Sequence, residues 1–231
     1  MGEENKLKAD YGNDDKQAVD AKFDAQKIAF APIMFQAARS LRDLGILKII
    51  HNNRKTGLSI EEIAEKLDLS IYGVKVLLEA GLSINLVYMR SEKFFLTKTG
   101  WFIENDSMTK VNMDFTNDVN YEGFLKLTDS VLTEEPKGLE VFGDWETIYE
   151  GLSTLPEKAK KSWFDFDHYY SDIAFPQVMP HLFEDKPKKG MDVGGNTGKF
   201  AVKCVEYNDN VNITILDLPQ QLEMAEKNIM D

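Results

Sequence analysis

Between Lys189 and Met230 the chain alternates short apolar and longer amphipathic segments in an order that few folds accommodate. Lys189 to Val193 reads as a short strand, Gly194 to Gly198 as a glycine-rich turn and Lys199 to Tyr207 as a helix. Val211 to Leu216 is a β-branched strand, and Pro219 to Met230 a second helix with proline in its first turn. The order β-α-β-α opens a doubly wound parallel sheet. In such a sheet, the N–H groups of the turn after the first strand face whatever binds above the strand ends.

The turn itself narrows the ligand. Counted from Gly194, Asn196 stands where the dinucleotide fingerprint G-x-G-x-x-G requires its second glycine, so a nicotinamide cofactor is poorly matched. Asp192, just before the turn, repels a pyrophosphate and favours a cationic group. Asp217 ends the next strand 25 residues further on, where a carboxylate can accept hydrogen bonds from ribose hydroxyls. One acid for an amino-acid ammonium and one for a ribose describe S-adenosylmethionine.

At these residues the sequence resembles a known family. Asp192-Val193-Gly194-Gly195-Asn196-Thr197-Gly198, followed by Ile215-Leu216-Asp217-Leu218-Pro219, is similar to the cofactor site of small-molecule O-methyltransferases of the plant caffeate and bacterial polyketide type. The resemblance implies a cofactor, S-adenosyl-L-methionine, with Asp192, Gly194, Gly195 and Gly198 around its methionine end. It further implies Asp217 at the ribose, Leu218 against the adenine, and a small-molecule hydroxyl as methyl acceptor. Asn196 departs from the family's usual glycine but tolerates the same turn. Members of the family carry a winged-helix domain before the catalytic domain and dimerise through it.

The N-terminal half reads accordingly. A polar leader to about Asp20 precedes a helical pattern from Phe23 to Leu47, with Ile28, Ala31, Phe35, Ala38 and Leu41 at three- and four-residue steps and Pro32 to bend it or open it. Ser59 and Glu62 have capping-box spacing at the start of the next helix. A further helix begins at Ile71, with Gly81 expected to end it. Leu86 to Met89 and Lys93 to Thr97 read as two strands around Arg90-Ser91-Glu92. This is a helix-turn-helix with a β-wing, but from Ser59 to Arg90 five acids face three bases, and the would-be recognition helix offers only Lys75. Dimerisation therefore suits it better than nucleic acid, as does the net charge of -12.

No apolar run approaches the ~20 residues of a membrane span, and the single cysteine, Cys204, falls on a helix as a buried thiol. A cytoplasmic protein without metal is expected, since His51, His168 and His181 are too scattered to hold an ion. The segment from Ser107 to His181 is mainly helical and aromatic-rich, with breaks at Pro136, Gly138, Gly151 and Pro156. Its rings fit a substrate pocket or a core.

The expected fold class is a mainly α N-terminal winged-helix dimerisation domain followed by the first half of an α/β Rossmann-like methyltransferase domain. Its regions are residues 1–20 (leader), 21–106 (winged helix), 107–186 (helical linker and pocket) and 187–231 (partial cofactor-binding domain). Expected partners are a small-molecule hydroxyl acceptor and a second copy of the chain. The catalytic base is unknown, because the resembled family supplies it as a histidine beyond the second strand, and a chain ending at Asp231 reads as truncated. His168 is then the first imidazole to test. The alternative reading is a winged-helix, ligand-responsive regulator or a catalytically dead cofactor-binding protein.

Overall fold

The computed structural model describes residues 14–230; residues 1–13 of the polar leader lie outside the described residues. The chain divides into two compact units at the Asp106–Ser107 junction.

The first unit runs α1 (Ala18–Asp43), α2 (Ile46–Asn52), α3 (Ile60–Leu67), α4 (Ile71–Ser83), β1 (Val87–Arg90), β2 (Lys93–Leu96) and α5 (Lys98–Asn105). Leu41, Ile46, Leu47, Ile50, Ile63 and Leu78 are completely buried and form its core. The single helix expected from Phe23 to Leu47 is two helices, because Gly45 adopts a left-handed φ of 78° and turns the chain into α2. Pro32 lies inside α1 rather than in its first turn, so the ladder lacks one N–H donor there. The apolar face of α1 is also only partly used. Ala38 and Leu41 are buried, whereas Val19, Phe23, Ile28, Phe30 and Ile33 are exposed.

Three helix starts in this unit, those of α3, α4 and α5, are closed by side chains. Ser59 Oγ accepts from Glu62 N at 3.2 Å, and Glu62 Oε2 accepts from Ser59 N at 2.7 Å, completing the expected capping box. Ser70 and Thr97 cap α4 and α5 in the same way. Gly81 does not end its helix. It lies buried within α4, which continues to Ser83, and a Cβ there would press on Leu41 and Val87 at 3.1 Å, so this glycine serves close packing. The hairpin loop has two residues rather than three: Arg90 pairs with Lys93, and Ser91 and Glu92 both take positive φ.

The second unit begins with α6 (Ser107–Phe115), a π-turn (Thr116–Asn120), α7 (Leu127–Thr133), α8 (Ile148–Gly151) and α9 (Glu157–Leu182), with short 3₁₀ turns between them. Pro136 and Pro156 stand at breaks, but α9 continues through Pro176 and Pro180. Then follow β3 (Lys189–Val193), α10 (Lys199–Tyr207), β4 (Asn212–Leu216) and α11 (Pro219–Met230). The strands are parallel, with Asp192 opposite Ile215 and Val193 opposite Leu216. Met179 of α9 and Phe183, which follows its last residue, share a core with Cys204 and Val211, packed by Phe175, Phe200 and Ile213. The last turns of α9 are thus part of the β-α-β layer. Cys204 is fully buried, and burial pushes its thiol pKa up. No helix among the described residues is long and apolar enough to cross a membrane.

Candidate functional site

A cavity of about 580 Å³ opens in the second unit above the carboxyl ends of β3 and β4. Its size falls within the usual range for small-molecule sites. The glycine turn lines one side and α9 the other, with Leu218 and Gln221 at the start of α11.

The turn takes its shape from positive φ angles at Gly194 (74°), Asn196 (50°) and Gly198 (76°). Asparagine adopts this conformation more readily than most residues, which is why Asn196 can stand in a glycine position. Gly195 is fixed by space instead. A Cβ there would lie 2.7 Å from Ile215 Cγ2 and 2.8 Å from Asp192 Oδ2. The turn therefore folds directly over the carboxylate of the preceding strand.

The two acids behave differently. Asp217 Oδ2 accepts from Asn196 N, and Oδ1 accepts from Leu218 N, both at 2.7 Å, which pins the carboxylate at the end of β4. Asp192 Oδ2 is buried without a hydrogen-bond partner among the described residues. Burial raises its pKa above the ordinary aspartate value, and the neighbouring Asp217 charge raises it further. A cationic group placed against Asp192 would relieve both effects.

From α9, Asp167 Oδ2 accepts from Asn196 Nδ2 at 3.1 Å, and Asp172 pairs with Lys199 at 2.6 Å. His168 Nε2 lies 3.1 Å from Thr197 Oγ1. Its pKa is lowered by burial and then by the Lys199 charge, so the ring is neutral at pH 7 and can accept a proton. Gln221 is 3% exposed, and neither atom of its amide finds a partner among the described residues.

Of the residues expected to form the site, Asp192, Gly194, Gly195, Asp217 and Leu218 line this cavity. Gly198 does not. It precedes α10, and the space beside it is filled by Ala225 and Ile229 of α11, so its role is helix packing. The aromatic segment is divided between uses. Tyr149, Trp163 and Phe175 line the cavity, whereas Phe115 stacks on Phe166 at 4.2 Å outside it. Sequence reasoning did not single out Thr147, Ser171, Lys199 or Gln221. Gln221 left a signal: a polar residue one helical turn before Ala225 on the buried face of α11. Among the described residues no cluster of His, Cys, Asp or Glu is arranged to hold a metal ion.

Comparison with known proteins agrees with this geometry. Residues 22–94 match the Dimerisation2-like domain. The chain is 26% identical over 208 residues to acetylserotonin O-methyltransferase of Gallus gallus, covering 86% of the chain and 58% of that protein. It is 24% identical over 183 residues to the O-methyltransferase gsfB of Penicillium aethiopicum, covering 73% of the chain and 43% of that protein. The chain thus spans about half the length of these curated relatives. Its fold is shared with PigF, solved with SAH (TM-score 0.68, 16% identity, 90% of this chain and 62% of that one). It is also shared with human N-acetylserotonin methyltransferase, solved with SAM (TM-score 0.63, 17% identity, 93% and 64%). The chain is thus similar in sequence to curated O-methyltransferases over part of their length, its first unit matches the Dimerisation2-like domain, and it shares its fold with the two solved structures.

Proposed function

We propose that the chain binds S-adenosylmethionine over the glycine turn and forms part of an O-methyltransferase acting on a hydroxyl group of a small molecule. The observation that carries this reading is the convergence of Asp192 and Asp217, from the ends of two adjacent parallel strands, on one cavity roofed by α9 residues. The residues fit the cofactor in three respects. The partnerless, buried Asp192 oxygen suits its ammonium, and the pinned Asp217 carboxylate keeps lone pairs for a vicinal diol. Leu218, half-exposed at the cavity edge, offers apolar surface to a flat base.

When bound, that cofactor supplies a methyl group on a sulfonium centre. The chain's own residues then position and desolvate: Trp163, Tyr149 and Phe175 exclude water and guide an acceptor into line. His168, neutral at pH 7 within this cavity, is assigned to receive the acceptor hydroxyl's proton. Residues 187–231 serve as the first half of a Rossmann-like domain, and 107–186 contribute the pocket wall. Residues 21–106 act as a winged-helix unit that pairs two copies of the chain, with the exposed apolar residues of α1 as the natural contact. A reducing, cytoplasmic setting suits the single buried thiol.

Calorimetry with S-adenosylhomocysteine tests the binding step. Removing the Asp217 carboxylate in Asp217→Ala should cost about 1.5–3 kcal/mol, roughly ten- to a hundredfold in affinity. Unchanged affinity would overturn the assignment. Transfer of a radiolabelled methyl group to a panel of phenols, compared with His168→Gln, tests the chemistry. Binding without transfer would favour a cofactor-binding regulator.

A further inference from the structure

A second concave site lies wholly within the first unit, remote in sequence from the glycine turn and independent of the methyltransferase reading. It measures about 560 Å³ and is lined by His51 in the last turn of α2 and Arg54 just after it, Tyr88 and Phe95 of the hairpin, and Lys98 and Trp101 of α5. These elements pack on one another, α2 against both β2 and α5, so the walls belong to one framework. Tyr88 and Phe95 face each other across the hairpin register and stack at 5.3 Å with planes 19° apart. Phe95 is held down on Gly57, where a Cβ would come within 2.5 Å of its ring. Trp101 is 43% exposed, a large apolar ring left open to solvent at the rim.

The charges here run against the rest of the molecule. The chain carries 39 acids and 27 Lys and Arg residues, yet no carboxylate lines this site. Elsewhere in this unit basic side chains such as Lys93 and Lys75 are paired with acids, Glu62 and Glu79. Arg54 and Lys98 have no ion-pair partner among the described residues, and a further guanidinium, Arg90, lies 5.9 Å from the Tyr88 ring centroid. Convergent unpaired cations repel one another, and an anion between them removes that cost. Three aromatic rings beside those cations add a surface for a planar group.

We propose that this site binds a planar aromatic anion, a ring system bearing a carboxylate, with Arg54 and Lys98 holding the charge and Trp101 and the Tyr88–Phe95 pair holding the ring. A small ligand fits better than nucleic acid. The site is a discrete concavity with two cations, Arg54 and Lys98, at its wall, too few to track a phosphate backbone.

Titration of the ¹⁵N-labelled full chain with 2-naphthoate, observed at the indole N–H signals of its three tryptophans, separates this site from the cavity at the glycine turn. Trp101 reports here and Trp163 there. The Trp101 signal should shift in a saturable manner, the neutral 2-naphthamide should bind at least about fivefold more weakly, and Arg54→Gln with Lys98→Gln should weaken 2-naphthoate about tenfold. The same variant should keep the urea-unfolding transition of the first unit and the dispersed amide signals of its core, which shows that this unit is folded. The proposal fails if only Trp163 responds, if naphthamide binds as well as naphthoate, or if a short DNA duplex displaces the naphthoate from Trp101.

Discussion

The helix starts of the first unit and the glycine turn of the second treat their polar groups in opposite ways. At α3, α4 and α5 a serine or threonine answers the free backbone donors within three residues, and Glu62 returns the bond to Ser59. Around the turn, Asp192 Oδ2, Asn196 Oδ1 and both ends of the Gln221 amide are buried without partners among the described residues. A buried polar group left unpaired costs about 1–3 kcal/mol. The contrast separates three helix starts that satisfy their own donors from a cavity whose buried polar groups are left for a ligand to complete. Substitutions in the first region should therefore cost stability alone, whereas those in the second should exchange stability against affinity.

The largest expected effect tests the first half of that contrast. Leu78 is completely buried in the core of the first unit, and Leu78→Ala should destabilise it by about 2–5 kcal/mol through lost burial and a residual cavity. Urea unfolding would show an earlier transition. Calorimetry under folding conditions should show S-adenosylhomocysteine binding unchanged. A coupled loss of affinity would mean that the two units do not behave separately.

Gln221→Leu probes the opposite side. Replacing the partnerless amide with an apolar group of similar volume should stabilise the ligand-free chain by about 1–3 kcal/mol and raise its melting temperature. Affinity for S-adenosylhomocysteine should not improve. A destabilised Gln221→Leu protein would show that the amide already has a satisfied role in the fold.

Asp192→Asn carries the comparison into pH. The folded-state pKa of Asp192 is raised, so the stability linked to its protonated form is present below the ordinary value of 3.8 and is lost as pH rises through the elevated folded value. The ionised carboxylate is thus a burden on the ligand-free fold at pH 7. Asp192→Asn should melt at a higher temperature than the parent at pH 7, with the difference closing below pH 3.8. It should also bind the cationic cofactor more weakly. A melting difference that does not depend on pH would detach the effect from ionisation.

Legibility in the sequence followed the same division. The bounds of β3, α10 and α11 agree with the pattern of short strand, glycine turn and proline at a first helical turn, and the β-branched β4 begins one residue after the expected Val211, because each is a local signal. Gly81 misled because its smallness serves contact with Leu41 and Val87, a tertiary fact that imitates a helix stop. Gly45, which does end a helix, sits between apolar residues whose period continues across it. In the site, acids at strand ends were readable from their position beside the turn. Thr147, Ser171 and Lys199 reach the cavity only because α8, α9 and α10 pack as they do, and no short-range pattern announces them. The pocket in the first unit was invisible for the same reason: its cations come from separate elements, each unremarkable alone.

The smallest expected effect returns to the first unit, at a turn where the local chemistry is poorly matched. Ser91 and Glu92 close the β1–β2 hairpin with φ of 49° and 61°, the two positive angles of a primed turn, yet neither residue is among those that favour it. Each non-glycine residue held left-handed costs roughly 1 kcal/mol, while a glycine returns about 0.5–1 kcal/mol through the freedom it gives the unfolded chain. Glu92→Gly alone therefore nearly breaks even, and Ser91→Asn tips the balance because asparagine tolerates the conformation without that entropic loss. The double substitution should stabilise the first unit by about 0.5 kcal/mol, a shift of roughly 2–4 °C in its melting temperature. Scanning calorimetry should place that gain in the first unit, with S-adenosylhomocysteine affinity at the glycine turn unmoved. A drop in melting temperature would show that Ser91 or Glu92 holds the loop by contacts worth more than the backbone strain they carry.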